Sequence, residues 1–600
     1  MTTIVDRLDT NAIARANAPA VADPRGGKFD AWDTLSWSDY AAKTHELARA
    51  FLALGLGRGE VVAIAGPNSV AWVLADLAAI AAGGMPAGVY STLTPEQAQY
   101  ILEHSRAPIF VAADDRQAEK VLAGRAKLPN LKAVILFPGQ VSKLGSDLVL
   151  SWEQALARAA TVSPERLAEI RGTIKPEDPA TLIYTSGTTG PPKAVMLSNQ
   201  NLVWTSGSAR VLIDAGPGDR SVSYLPLSHI AEQMLTIHVP ITCAMTVHFV
   251  PAFEQLPEAL RAVQPTSFLG VPRVWEKIQD KVEAGLASAP PMRVKIFRAA
   301  QRVGLAVHSA RFEGRSPPFW AQAAYPLFQR LIYSKVRERL GMGSLRNAAS
   351  GAAPLSAATR DWFFSVGISI SEVYGQSEDS GPTTFNKDGH GKLNTVGKAV
   401  PGVAVKLGPD GEILVRGPNV FLGYLHDEVA TKETIDADGW LHSGDIGELT
   451  PDGYLRITDR KKDLIITAGG KNVAPQNLEK ELRDIPLVSQ AVVIGDKRKY
   501  LTALLTLRPE SLEAYLKALG PVPPDPKERA AHPAVRAEIE RAIAERVNPK
   551  LAQYETIKRF EILPGELSEE AGELTPTMKI KRKVVVERYA DQIERLYTGD

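Results

Sequence analysis

Cysteine is almost absent: Cys243 is the only one in 600 residues. That excludes an intramolecular disulfide and leaves a cysteine-built zinc site without ligands, so a reducing cytoplasm is the expected setting. An excess of charge of one sign is missing too. Lys and Arg number 69 against 68 Asp and Glu, and nothing in that balance calls for nucleic acid or another strongly anionic partner. A long hydrophobic run is also lacking. The most apolar stretch, residues 70–89, is broken by Asp76, Gly83, Gly84 and Pro86, whereas a membrane span needs ~20 mostly apolar residues. A buried helix, a turn and a buried strand are expected there instead. Residues Met1 to Asp6 show neither a basic cluster nor an apolar core, so a signal peptide is not expected. No unit of ~20–50 residues recurs, which argues against a solenoid.

What is present is an ordinary globular composition, 44% apolar and 23% charged. At this length one core does not suffice, and at least two domains are expected. From about residue 60, short apolar runs alternate with helical stretches. Candidate strands are 61–65, 108–112, 131–137, 181–184, 221–225, 246–250 and 267–271, and candidate helices 69–82, 95–104, 199–213 and 254–263. That order predicts α/β layers with mainly parallel sheets.

Two stretches depart from the rhythm. Residues 280–345 read as helical and proline-punctuated, with Phe297, Phe312, Phe319, Trp320, Tyr325, Phe328 and Tyr333 among many basic residues. A cap whose aromatics pack inward is the plain expectation; a lid facing substrate or membrane is the alternative. Near residue 460 the pattern turns to short strands (454–458, 464–467, 491–495, 501–507) with polar helices. This predicts a small α+β domain beyond a charged linker, Arg460-Lys-Lys-Asp463.

The richest local signal is Tyr184-Thr-Ser-Gly-Thr-Thr-Gly-Pro-Pro-Lys193. Glycines let backbone N–H groups approach an anion, while Thr185, Ser186, Thr188, Thr189 and Lys193 add hydroxyls and a cation. Lys193 is followed by Ala194, and Gly190 by two prolines. The G-x-x-x-x-G-K-[ST] loop of P-loop NTPases is therefore not met. A polyphosphate-binding loop of another kind is expected.

Four further segments complete the set: Ser350-Gly-Ala-Ala-Pro-Leu355, Tyr374-Gly-Gln-Ser-Glu378, Gly439-Trp-Leu-His-Ser-Gly-Asp445 and Leu574-Thr-Pro-Thr-Met-Lys579-Ile-Lys-Arg-Lys583. With the first loop and in this order, they resemble the AMP-forming acyl-CoA synthetases of the adenylate-forming superfamily, over nearly the whole chain. The long-chain fatty-acid branch is the nearest in pattern, through Tyr224-Leu-Pro-Leu-Ser-His229-Ile-Ala-Glu232, residues 266–276 and Gly88-Val-Tyr-Ser-Thr92. The resemblance implies ATP and CoA as co-substrates, Mg²⁺ as cofactor and a fatty acid of medium to long chain as substrate. Acyl-AMP forms first, then a thioester.

By the same resemblance, Thr185, Ser186, Gly187, Thr188, Thr189, Gly190 and Lys193 face the β- and γ-phosphates. Ser377 takes the place of the usual threonine at the α-phosphate, and Glu378 holds the metal. Gly351 and Ala352 pack on the adenine, and Tyr374 and Gly375 belong to the nucleotide-binding set. Asp445 and Arg460 grip the ribose. Lys579 is the adenylation lysine, and His229 sits beside the acyl carboxylate. Lys462 is the hinge, and Gly469-Gly-Lys471 the loop of the thioester-forming pose. The implied division is 1–460, carrying the nucleotide and acyl sites, and 461–600, a mobile domain. Some relatives place a gating tryptophan four residues after the histidine; here the residue is Gln233.

Two rival functions share these residues. One is an acyl-AMP ligase delivering the acyl group to a carrier protein or another acceptor; the other is a non-catalytic acyl or nucleotide sensor. Peripheral membrane contact and oligomeric state are left open.

Overall fold

The computed structural model describes residues 3–185, 191–287, 289–469, 471–575 and 578–598. The expected strands and helices form where local patterning is strongest. The strand Val61–Ala65 is buried along its whole length. The helix Asn199–Ile213 starts at a capping box in which Ser198 accepts from the Asn201 N–H, a reciprocal arrangement that satisfies two orphan donors at a helix start. Residues 70–89 resolve into the buried helix Val70–Ala81 and the strand Met85–Gly88. Among the described residues no helix is long and apolar enough to cross a membrane.

The eight-stranded central sheet runs in the order Gly423–Tyr424, Lys193–Ser198, Pro179–Thr185, Met85–Gly88, Val61–Ala65, Ile109–Ala112, Ala133–Leu136, Val149–Leu150. The last six are parallel to one another. The two at the other edge are antiparallel additions. A second sheet has Ser267–Gly270, Asn347–Ser350 and Ile370–Tyr374 in parallel, then two short antiparallel strands. Parallel strands buried on both faces explain why these segments read as short apolar runs rather than alternations.

Residues 404–460 depart from the expectation. They form a wholly antiparallel sheet of Ala404–Leu407, Glu412–Arg416, Leu441–Leu449 and Leu455–Arg460. The run 454–458, grouped by pattern with the small domain, is thus the last strand of the sheet that precedes the charged linker. The first strand of this sheet alternates exposed and half-buried residues, a pattern too weak to stand out among loops.

The C-terminal part has its own core. Strands Val488–Ile494 and Leu501–Leu507 pair antiparallel, and Ile557–Ile562 joins parallel. Helices Pro475–Arg483, Pro509–Leu519 and Pro533–Ala542 pack on them through Leu478, Leu482, Leu512, Leu516, Val535 and Ile539. This part docks on the helix Pro272–Ala287 by charge. Arg273 bonds the Ser489 hydroxyl at 2.7 Å and pairs with Glu566, and Arg508 meets Asp280 at 3.0 Å.

Candidate functional site

Chain topology brings four distant segments to one place. Strand Ile370–Tyr374 ends with the Tyr374 hydroxyl donating to Asp445 Oδ2 at 2.8 Å. Asp445 sits in the strand Leu441–Leu449, directly across the ladder from Arg460, whose Nε lies 3.3 Å from Oδ1. Asp445 is only 7% exposed. Burial raises its pKa, against the pull of Arg460, the Tyr374 hydroxyl and Lys579. A carboxylate held this way offers acceptor lone pairs at fixed positions, the requirement for gripping a diol.

After Tyr374 the chain turns sharply. A Cβ on Gly375 would come within 1.5 Å of the Gly381 carbonyl oxygen, so only glycine fits. The following short 3₁₀ turn, Ser377–Asp379, carries Ser377, which is buried, and Glu378. The turn is tied down by Asp379, which accepts from the Gln376 N–H at 2.7 Å and from the Thr383 hydroxyl. Burial pushes the Asp379 carboxyl up to about 8. Gly351 follows the neighbouring strand Asn347–Ser350, its Cα against Val373, and Ala352 takes a φ of 68°. Small residues here leave a shallow wall beside Tyr374.

Glu378 receives the Tyr424 hydroxyl at 2.9 Å on Oε1, and burial raises its pKa. The same Tyr424 ring lies 4.7 Å from the Lys193 ammonium, which also approaches Asp427 at 3.8 Å. Thr185 and Lys193 face each other at the base of the hairpin between strands Pro179–Thr185 and Lys193–Ser198. Ser186, Gly187, Thr188, Thr189 and Gly190 lie outside the described residues. Among the described residues no three His, Cys, Asp or Glu side chains gather into a metal cage. A dication would lean on Glu378, water and nucleotide oxygens, as Mg²⁺ ordinarily does.

Lys579 enters from the C-terminal part, on a turn in which Thr575 and Lys579 exchange bonds, the Lys579 N–H donating to Thr575 Oγ1 at 3.0 Å. Its ammonium interacts electrostatically with Arg460, Asp445 and Glu378. Burial first, and then Arg460, bring its pKa down to about 8. His229 feels the same lysine, and burial holds it neutral with a pKa of about 3. The His229 Nδ1 accepts from the Ala231 N–H at 3.1 Å, which leaves the proton on Nε2. A Cβ on Gly88 would fall 2.5 Å from Ser228 Cα, so the strand Met85–Gly88 presses directly on the segment that presents His229. Gln233 points inward, its amide donating to the Leu227 carbonyl at 3.1 Å.

Two residues expected from the sequence stand apart. Lys471 is exposed, its ammonium 5.9 Å from the Tyr554 ring. Lys462 is exposed in the turn after Arg460, where the Asp463 N–H returns to the Arg460 carbonyl. Sequence reasoning missed Tyr424 and Asp379. Tyr424 meets Glu378 across 46 positions, and no local pattern announces such a contact. An acidic residue directly after Glu378 was visible but had no evident partner.

Comparison with known proteins gives the same outline. The AMP-binding enzyme family profile matches residues 8–425, and that of the AMP-binding enzyme C-terminal domain matches 462–600. The long-chain-fatty-acid–CoA ligase ACSBG2 of Gallus gallus is 39% identical over 96% of this chain and 79% of its own length. The long-chain-fatty-acid–CoA ligase FadD15 of Mycobacterium tuberculosis is 37% identical, over 95% and 93%. Among solved structures, ATP-bound MatB from Rhodopseudomonas palustris superposes with a TM-score of 0.72 at 23% identity, covering 98% of this chain and 99% of MatB. The A domain of the carboxylic acid reductase from Segniliparus rugosus, in complex with AMP and a co-purified carboxylic acid, gives 0.73 at 21%, over 99% and 94%. At these identities the structural likeness speaks for the fold alone.

Proposed function

The chain belongs to the AMP-binding enzyme family, and from that premise we propose that it is an ATP-dependent ligase joining a fatty acid of medium to long chain to CoA. The observation that carries the reading is the meeting of Lys579 with Asp445, Arg460, Glu378 and His229, contributed by separate parts of the chain. The relatives named long-chain-fatty-acid–CoA ligase support the substrate class, and they disfavour delivery to a carrier protein.

In the first step a carboxylate oxygen attacks the α-phosphorus of ATP. The O–P bond forms, the bond to the β-phosphate oxygen breaks, and pyrophosphate leaves. Negative charge builds on the α-phosphate, and a cation fixed beside it lowers the barrier most when it needs no reorganisation. Lys579 is that cation, bridging carboxylate and α-phosphate, with the Ser377 hydroxyl as a second donor. His229 remains neutral, so its Nε2–H orients the carboxylate without protonating it. Asp445 and Arg460 fix the ribose, and the wall at Gly351, Ala352, Tyr374 and Gly375 receives the adenine. Lys193 and the loop 185–190 hold the β- and γ-phosphates. A Mg²⁺ bound through Glu378 would neutralise phosphate charge in the same step.

In the second step the CoA sulfur attacks the acyl carbonyl, AMP leaves and one proton is released. The domain from residue 461 turns about Lys462 between steps and brings Gly469–Lys471 to the site. Its docking contacts, Arg273 with Ser489 and Arg508 with Asp280, are polar, as suits an interface that must separate.

The test is incubation with ATP, Mg²⁺ and fatty acids of graded length, with and without CoA, following pyrophosphate and thioester separately. Thioester with a maximum at one chain length is expected. Pyrophosphate without thioester would assign another acceptor, and neither product would overturn the reading.

A further inference from the structure

The helical segment 289–340 concentrates a charge that the rest of the chain does not have. It holds ten Lys and Arg against two Asp and Glu, in a protein whose net charge is +1. Within it, the helix Phe319–Phe328 and its continuation Gln329–Tyr333 divide cleanly into two faces. Ala321, Tyr325, Phe328 and Tyr333 turn inward against Val303, Val307 and the Ala300 carbonyl. Trp320, Leu327 and Leu331 recur at helical spacing on the other face. They are 56%, 59% and 47% exposed, with Phe319 beside them at 85%. The aromatics expected to pack inward therefore split, and the two largest at the helix start stay outside. Arg330 flanks this stripe and Lys335 follows one turn beyond Leu331; both are exposed, and neither has an ion-pair partner among the described residues.

We propose that this face docks on an anionic lipid surface. An exposed Trp, Phe and Leu stripe bordered by Lys and Arg is the pattern of a helix lying in a membrane interface, apolar side down and cations at the headgroups. A second copy of the chain is the poorer occupant. A two-fold pairing of one patch with itself would set Arg330 and Lys335 against their own kind. The surface also suits a fatty-acid ligase, whose substrate dissolves in bilayers; that link rests on the proposed function, while the docking itself does not.

The test is co-sedimentation of the full chain with phosphatidylcholine vesicles, with and without phosphatidylglycerol, in the absence of ATP and fatty acid. Binding to the anionic vesicles only, weakening as salt is raised, is expected. Each cation removed should cost about fivefold in affinity, so R330Q with K335Q should weaken binding about 25-fold. F319S with W320S and L327S should abolish it at low salt. On anionic vesicles tryptophan emission should shift to the blue in the wild type, and W320F should lose most of that shift. Since nine tryptophans are present, only this difference assigns the signal. Circular dichroism and acyl-CoA formation from detergent-dispersed acid would establish that the variants are folded. Absent binding, equal binding to neutral vesicles, or unchanged binding by the serine variant would each overturn the proposal. So would a change of oligomeric state in that variant with vesicle binding intact. Vesicle binding without any ligase activity would uphold the docking and refute only the function.

Discussion

Replacing Lys579 by alanine removes the cation proposed to bridge the carboxylate and the α-phosphate, a residue whose ammonium interacts with Asp445 and Glu378. The loss of a single preorganised donor at a developing negative charge typically costs about 3–4 kcal/mol, or roughly 10²–10³ in rate. That factor should appear in pyrophosphate release from ATP and fatty acid, while thioester formation from supplied acyl-AMP and CoA should stay within a few-fold of wild type. The pH profile gives a second, independent reading. The Lys579 pKa is lowered to about 8, and the role proposed for it uses the protonated form. The active fraction of free enzyme therefore falls as pH rises through 8, and about a tenth remains at pH 9. The kcat/KM for adenylation, which reports the free enzyme, should bend downward near pH 8. Lys579→Arg keeps its charge at any accessible pH, so whatever its absolute rate, its alkaline limb should move beyond pH 10. Equal loss of both half-reactions in the alanine variant would refute the reasoning, as would a wild-type profile flat to pH 10.

Glu378→Gln removes the carboxylate proposed for the dication, and the Mg²⁺ concentration giving half-maximal pyrophosphate release should rise at least about tenfold; an unchanged titration would contradict the assignment. Gly375→Ala forces a methyl into the Gly381 carbonyl, so stability measured by urea unfolding should fall by the ~1–3 kcal/mol typical of overpacking; an unchanged unfolding curve would contradict the close approach. Asp76 is buried in the helix Val70–Ala81, has no hydrogen bond on either oxygen, and has a pKa raised to about 8. The folded state then keeps a proton that the unfolded chain releases near 3.8. The contribution is full below about pH 4 and is lost as pH rises through 8, with a slope approaching ~1.4 kcal/mol per pH unit between. Asp76→Asn should flatten urea-derived stability between pH 5 and 8; parallel curves for the two proteins would contradict this.

Much of the site was legible because its chemistry is carried by short contiguous segments. Tyr374, Ser377 and Glu378 stand within five residues, and strand and turn together settle where their side chains go. The strand Val61–Ala65 and the helix Asn199–Ile213 have the bounds that their patterns predict, since burial on every side and a capping box are local facts. What was hidden depends on pairing. The Asp445–Arg460 contact follows from antiparallel register, which no single strand specifies. Tyr424 reaches Glu378 because a two-residue edge strand, Gly423–Tyr424, joins Lys193–Ser198, and so short a strand leaves no periodicity to read. Whether Phe319 and Trp320 face inward or outward stayed open between two readings for a related reason. An aromatic on a helix reads as core until its neighbours show which side is covered.

The central claim is that the fatty-acid carboxylate attacks the α-phosphorus of ATP and that CoA then displaces AMP. It is tested most directly by supplying fatty acid labelled with oxygen-18 in both carboxylate positions and examining the nucleotide product by mass spectrometry. The attacking oxygen becomes the bridge of acyl-AMP and departs with AMP, so the account predicts AMP carrying one labelled oxygen for each thioester formed, and unlabelled pyrophosphate. Label in inorganic phosphate with ADP as the nucleotide product, or unlabelled AMP, would contradict it.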